Sequence, residues 1–354
     1  MGMPSVTISF AEKAITAVKR GERGIVAMII RDDNVPESNP ITCLSDEDVP
    51  KTLSADNQEQ IKLALIGYTK MPRKVIAYVL DNDAEDYTEA LNMLKTIKFD
   101  YLVAPAASTD NMTNDIASYV KTQRAAGKLI KAVLPNTTAD NEGIINYATQ
   151  SVYANDKSYT TEQYCSRIAG IIAGTPINIS STYATLTELT DCTRLTKEEM
   201  DAAVDVGKFI VWWDGEKVKT ARAVNSLTTL TQDKQSSFQK IKIVEAMDMI
   251  VNDIRATAED SYLGKYANTY DNKCLLISAI GNYFERLKMD GVISEYEIGI
   301  DITANRNYLE ERGIETESMS DNGIKIADTG SFVFLKATVK ILDAIEDIVL
   351  PIAL

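Results

Sequence analysis

Gly24-Ile25-Val26-Ala27-Met28-Ile29-Ile30 is an uncharged, strongly apolar run, suited to a strand buried on both faces. The chain beyond it repeats that theme. Residues 73–80 (RKVIAYVL) read as a second strand, and Asp100-Tyr101-Leu102-Val103-Ala104-Pro105 as a third that stops at its proline. Residues 128–134 form a fourth, closed by Pro135, and 143–152 a fifth. Helical patterns lie between them. One is opened by Asp56 with Glu59 three residues on, one covers 84–97, and one covers 113–126 and is closed by Gly127. Strands alternating with helices of this length predict an α/β domain with a mostly parallel sheet.

The second half has another rhythm. Thr160 with Gln163 starts a helix that runs to Gly174-Thr175-Pro176, in which Gly170 and Gly174 allow close packing. Residues 178–193 are rich in Ser and Thr without periodicity and place a domain boundary near 190. Thr196 with Glu199 is a capping box for a short helix ending at Gly207. Two strand-like runs then flank Asp214-Gly215, a hairpin signal. The Trp212-Trp213 pair puts one indole on each face of its strand. Residues 240–259 and 272–289 are long amphipathic helices; Ile243, Val244, Met247, Ile250, Val251 and Ile254 share one face. A strand over 292–302, a helix over 304–311 stopped by Gly313, and a strand over 332–341 complete the pattern. The fold class expected is therefore α+β overall. A first domain (21–190) is α/β, and a second (191–342) sets long helices against an antiparallel sheet. Arms at 1–20 and 343–354 flank them.

The arms carry the functional signal. Ile348-Val349-Leu350-Pro351-Ile352-Ala353-Leu354 is an uncharged, strand-like tail. Such a segment frays unless tied down, and exposed it pairs with another chain. At the other end Ser5-Val6-Thr7-Ile8-Ser9-Phe10 alternates like a half-buried strand. The arms differ in charge. Lys13, Lys19, Arg20 and Arg23 stand against Glu12 and Glu22 at one end; Asp343, Glu346 and Asp347 stand without a basic residue at the other. Arms meeting between subunits would attract each other.

Catalytic equipment is missing from the pattern. The chain has no histidine, which removes Ser-His-Asp and Cys-His systems and the commonest zinc ligand. No phosphate loop or dinucleotide-binding glycine pattern follows a strand. The acidic groups Asp46/Glu47/Asp48, Asp81/Asp83/Glu85/Asp86 and Glu310/Glu311 read as solvated surface, because none has calcium-loop spacing. No catalytic, metal or cofactor site is expected. A net charge of −14 argues against nucleic acid as a direct partner. No apolar run approaches the ~20 residues of a membrane span, and no signal-peptide pattern opens the chain. Cytoplasmic synthesis is expected. Cys43, Cys165, Cys192 and Cys274 are far apart and read as free thiols.

Several segments, in order, resemble the contractile tail-sheath proteins of bacteriophages and phage-tail-like bacteriocins. YCSRIAGIIAGTP (164–176) is similar to the family's alanine/glycine helix, and GKFIVWWDGEKVKTARAVNSLTT (207–229) to its hairpin and Asn-x-Leu-Thr element. FQKIKIVEAMDMIVNDI (238–254) is similar to its long helix; ANRNYLEERG (304–313), Thr329-Gly330 and VKILDAIEDI (339–348) are similar to its closing segment. The short chain looks like the minimal sheath of Gram-positive R-type (diffocin-like) bacteriocins. The resemblance implies a structural subunit, not an enzyme. It implies a helical homopolymer around an inner tube protein, with baseplate and terminator/collar proteins as further partners and no membrane insertion of the sheath itself. The particle would be assembled in a bacterial cytoplasm and released as part of a tail or bacteriocin. Residues 21–190 become an outer domain. Ser5, Val6, Thr7, Ile8, Ser9 and Phe10, and Ile348, Val349, Leu350, Ile352 and Leu354, become strands added to neighbouring subunits. The 304–312 helix, with Arg306, Glu310 and Arg312, becomes the tube-facing element. Two other readings stand beside it: a different self-assembling tubular protein, and an α/β enzyme using carboxylates or a lysine.

Overall fold

The structure is a computed structural model that describes residues 17–21, 23–155 and 157–353. The chain forms two compact units. The larger comprises residues 22–249 and 343–354; the smaller comprises 250–342 with the described residues 17–21.

The larger unit runs β1 (Ile25–Arg31), β2 (Ile41–Cys43), α1 (Ala55–Leu65), β3 (Lys74–Leu80), α2 (Thr88–Leu94), β4 (Tyr101–Val103), α3 (Thr113–Ala125), β5 (Lys131–Pro135) and β6 (Ile144–Tyr147). It continues through β7 (Ser151–Ala154), β8 (Lys157–Thr160), α4 (Thr161–Ala173), β9 (Asp191–Cys192), α5 (Lys197–Asp205), β10 (Lys208–Phe209), β11 (Val211–Trp213), β12 (Val218–Thr220) and the first half of α6 (Ile241–Ser261). The main sheet has the order β10-β6-β5-β4-β1-β3-β2. All its pairs are parallel except β2 with β3. The opening run supplies β1, an interior strand between β4 and β3. Val26, Met28 and Ile30 enter one core while Ile25, Ala27 and Ile29 enter the other, the two-sided burial expected of a central parallel strand. α1 and α4 cover the first face; α2 and α3 cover the second.

Local signals place most elements, with shifts that have local causes. The capping boxes at Thr160/Gln163 and Thr196/Glu199 form, and the Asp214-Gly215 hairpin pairs β11 with β12. Helix α1 is capped by Ser54, whose Oγ accepts from the Asn57 N–H at 3.3 Å, and Asp56 sits in its first turn. The expected fifth strand is two strands. Thr149 interrupts it by accepting from the Val211 N–H at 2.9 Å through its side chain, and β7 pairs with β8 and β9 in a separate antiparallel sheet. The boundary expected near 190 is corrected: Ala184, Leu186, Leu189 and Cys192 are buried in the first core. That segment lacks periodicity because it is stitched irregularly to the hairpin, as when the Leu186 N–H donates to the Val218 carbonyl at 2.9 Å. Gly170 is needed for packing, since a Cβ there would run into the Ala64 backbone of α1.

The smaller unit contains the second half of α6, α7 (Tyr270–Met289), β13 (Ile293–Ile300), α8 (Ile302–Glu311), α9 (Asp321–Ile326) and β14 (Leu335–Ile341). α8 begins two residues before its expected start because Asp301 caps it, accepting from the Ala304 N–H at 2.9 Å. β14 begins later than its apolar run does; Phe332 and Phe334 instead pack at a tilt against the Tyr308 ring, centroids 5.4 and 5.5 Å away. Asp253 of α6 accepts from the Tyr283 hydroxyl and from the Gly21 N–H, both at 2.7 Å. Arg286 reaches the Val18 carbonyl. These bonds bolt residues 17–21 to α6 and α7.

Candidate functional site

In open parallel sheets, ligands enter the crevice at the carboxyl ends of the strands where the order reverses. Here β3 and β4 lie on opposite sides of β1, so that crevice opens beyond Arg31. Its polar groups serve the fold. Arg31 Nε binds Asp110 at 2.6 Å and Nη1 donates to the Ala84 carbonyl at 2.7 Å, while the Tyr87 hydroxyl donates to Asp110 at 2.6 Å. Asp32 accepts from the N–H groups of Ser54 (2.7 Å) and Asn34 (3.0 Å) and from Asn57 Nδ2 (2.9 Å). Burial alone would raise its pKa; these donors hold it at about 2. Among the described residues no three His, Cys, Asp or Glu side chains are placed to hold a metal, and no helix is long and apolar enough to cross a membrane.

A second polar assembly lies against the first half of α6. Glu245 meets Lys131 at 2.9 Å and also bonds Arg23 and Tyr101. Asp248 meets Lys131 at 2.9 Å and Arg124 at 2.8 Å. Burial pushes the Glu245 pKa up, but Lys131 and Arg23 outweigh it and bring it down to about 2. Asp100, nearby, is driven the other way by burial. The assembly fastens the long helix to the starts of β4 and β5. The apolar face read from the sequence is corrected: Val251 is exposed, and the buried side of the helix carries Glu245 and Asp248, each with cationic partners.

The tail meets the larger unit at its root only. Lys240 pairs with Asp343 and, at 3.1 Å, with Glu346. Arg222 holds Asp347 at 2.7 Å and Glu346 at 3.4 Å, and the Thr182 hydroxyl donates to Glu346 at 2.7 Å. Arg222 lowers the Asp347 pKa. The three acids expected to attract a neighbour's basic arm are thus partnered within their own chain. Two of the four basic-arm cations are likewise paired within the chain, Arg20 on Asp290 at 2.6 Å and Arg23 on Glu245, while Lys13 lies outside the described residues. Arg222, Lys240 and Thr182 were not singled out in the sequence; three acids with no base beside them were the available signal.

Beyond this root the tail is bare. Ile348, Val349, Leu350 and Ile352 are 83%, 92%, 74% and 77% exposed, and residues 342–353 form no strand. Leu354 and Ser5, Val6, Thr7, Ile8, Ser9 and Phe10 lie outside the described residues. β13 and β14 pair only with each other among the described residues, which leaves an outer edge on each. On α8, Arg306 donates to the Thr316 carbonyl at 2.8 Å and lies 3.8 Å from Asp321. Glu310 accepts from the Thr316 hydroxyl. Arg312 is the C-cap rather than a helical residue and lies over the Tyr308 ring at 4.6 Å. Arg306 therefore stands mid-helix, Glu310 in the last turn and Arg312 at the C-cap of α8, and each of the three has a partner within its own chain.

Comparison with known proteins gives this arrangement its context. The family described as phage tail sheath protein central domain matches residues 81–226, and phage tail sheath C-terminal domain matches 233–354. A tail sheath protein of Clostridium phage phiCD119 is 37% identical over 353 residues, 98% of each chain. The sheath tail protein of Desulfitobacterium hafniense has the same fold (TM-score 0.71, 21% identity, 84% of this chain and 94% of that one). So does the anti-feeding prophage helical sheath in its contracted state (TM-score 0.72, 13% identity, 100% and 99%). The chain belongs to the phage tail sheath family and is a subunit of a contractile tail sheath.

Proposed function

We propose that the subunits polymerise by strand exchange through their arms and that the polymer works mechanically rather than enzymatically. Residues 5–10 and 348–354 add as strands to the open edges of the β13–β14 pair in neighbouring copies, a β-augmentation. A contact of this head-to-tail kind need not close and so propagates a filament. The observation that carries the reading is the tail: apolar, unpaired and exposed beyond a fixed root, in a chain whose β13–β14 pair has outer edges that no other strand takes among the described residues.

The polymer surrounds an inner tube, is held by baseplate and terminator proteins, and starts in an extended state behind a kinetic barrier. Triggering lets near-rigid subunits rotate and repack. Newly buried apolar surface, at roughly 25 kcal/mol per 1,000 Å² before costs, supplies the work. Assembly takes place in the bacterial cytoplasm before release of the particle. α8, through Arg306, Glu310 and Arg312, faces the tube.

The test is negative-stain electron microscopy of the protein expressed alone, with and without residues 348–354. The full chain is expected to form long hollow tubes and the truncation to remain folded and monomeric. Tubes from the truncated chain would refute the arm reading.

A further inference from the structure

The tail root forms part of the wall of a groove of about 790 Å³ in the larger unit. Glu346 and Asp347 are among its lining residues, and the next residue, Ile348, begins the bare apolar tail. Tyr183, 57% exposed, and the half-buried Met200, Val204 and Trp212 line it. Two charged pairs at the groove are already matched: Lys197 with Asp201 at 2.5 Å and Arg222 with Asp347 at 2.7 Å. Trp212 packs at a tilt against Tyr183, ring centroids 5.6 Å apart, and its Nε1–H is buried with no acceptor. A buried donor without an acceptor keeps its full desolvation penalty.

We infer that this groove stores the subunit's own tail before assembly. The inference rests on the strand-exchange reading above. The occupant is residues 348–353, on three grounds. The tail begins at the residue after Asp347, which lines the groove, so the tail's first residues lie next to it. Its side chains carry no charge and suit the Tyr183, Met200, Val204 and Trp212 side of the groove, away from Lys197, Asp201 and Asp205, which supply its charged wall. Its extended backbone has carbonyls free of a ladder, and one of them satisfies the Trp212 indole N–H. Stored, the tail is withheld from other copies, and the assembly-competent fraction falls by the proportion stored. An incoming subunit's sheet edge then competes the tail out of the groove. Glu346 and Asp347 stay clamped throughout, so the exchange moves the tail without moving its root.

The test uses the full chain with Cys274→Ser, which leaves Cys43, Cys165 and Cys192, all buried. Val204→Cys and Leu350→Cys are added. Mild oxidation at a concentration below the polymerisation threshold is expected to give an intramolecular disulfide, which requires the two Cα atoms to come within about 7 Å. The bridged chain forms no tubes until reduced. A control pair with the body cysteine at the exposed Lys98, outside the groove, is expected to give no such bridge. Separately, Met200→Arg fills the groove from α5, a helix with no buried residue, and is expected to shorten the polymerisation lag several-fold. Equal bridging in the control, bridges only between copies, or an unchanged Met200→Arg lag would overturn the storage role while leaving strand exchange intact. Failure of the unbridged parent to polymerise under any condition would take both down.

Discussion

Glu245 is where burial and charge compete most directly. Its ordinary pKa of 4.5 is lowered to about 2 despite burial. A carboxylate lowered on folding stabilises the fold above its unfolded value, and that stability is lost as pH falls towards the folded value. The window is therefore roughly pH 4.5 down to 2, and the contribution is on the order of 3 kcal/mol, opposed in part by Asp100, whose pKa folding raises. Thermal melts across that range are expected to show falling stability, with a shallower slope in Glu245→Gln. At neutral pH that variant leaves Lys131 and Arg23 facing a neutral group and is expected to lose about 3–5 kcal/mol. Arg222→Glu is expected to behave oppositely. Asp347 is well exposed and Arg222 part-exposed, and a pair of this kind contributes at most about 1 kcal/mol, with the buried Glu346 side chain still held by Lys240 and Thr182. The melting temperature should barely move, whereas tubes seen by electron microscopy should become short or absent because the tail loses its fixed origin.

At the scale of elements, α1 and α4 touch through Gly170, where an added Cβ meets backbone rather than a flexible side chain. Gly170→Ala is expected to cost about 1–3 kcal/mol by overpacking, measurable by denaturant titration at unchanged polymer morphology. This contact was legible in the sequence because two glycines inside a helical pattern have few other uses. The parallel sheet was equally legible, since Val26 to Ile30 is apolar at successive positions and only two-sided burial explains that. The stretch from 178 to 193 was not. Its Ala184, Leu186 and Leu189 are core residues without a period, held by hydrogen bonds to the hairpin whose partners lie more than 30 residues away. The same holds for the tail root, where Arg222 and Lys240 lie more than 100 residues from the acids they bind; spacing along a chain carries no trace of such pairs. The tail itself was legible because its composition is wrong for an exposed segment.

At the scale of the whole molecule, the compact units meet in sequence within α6, between Met249 and Ile250. The sequence had placed the division near 190, at the end of the βα alternation, whereas the larger unit also takes in the hairpin and the first turns of the long helix. For the assembled particle, reversing charge at both Arg306 and Arg312 is expected to weaken attachment of the sheath to its tube, read by co-sedimentation. Unchanged co-sedimentation would remove α8 as the tube-facing element. Arg306 also braces Thr316, so a melt of the variant must accompany the assay.

The arm joins two kinds of cohesion end to end: carboxylates on Arg222 and Lys240 at its root, then wholly apolar residues. Electrolyte acts on them with opposite sign. Screening weakens the exposed ion pairs, while strongly hydrated salts such as sulfate strengthen apolar burial. Concentrated sulfate should therefore give filaments that are harder to fragment yet more pliant, with a shorter persistence length, because each strand stays seated while its anchorage swivels.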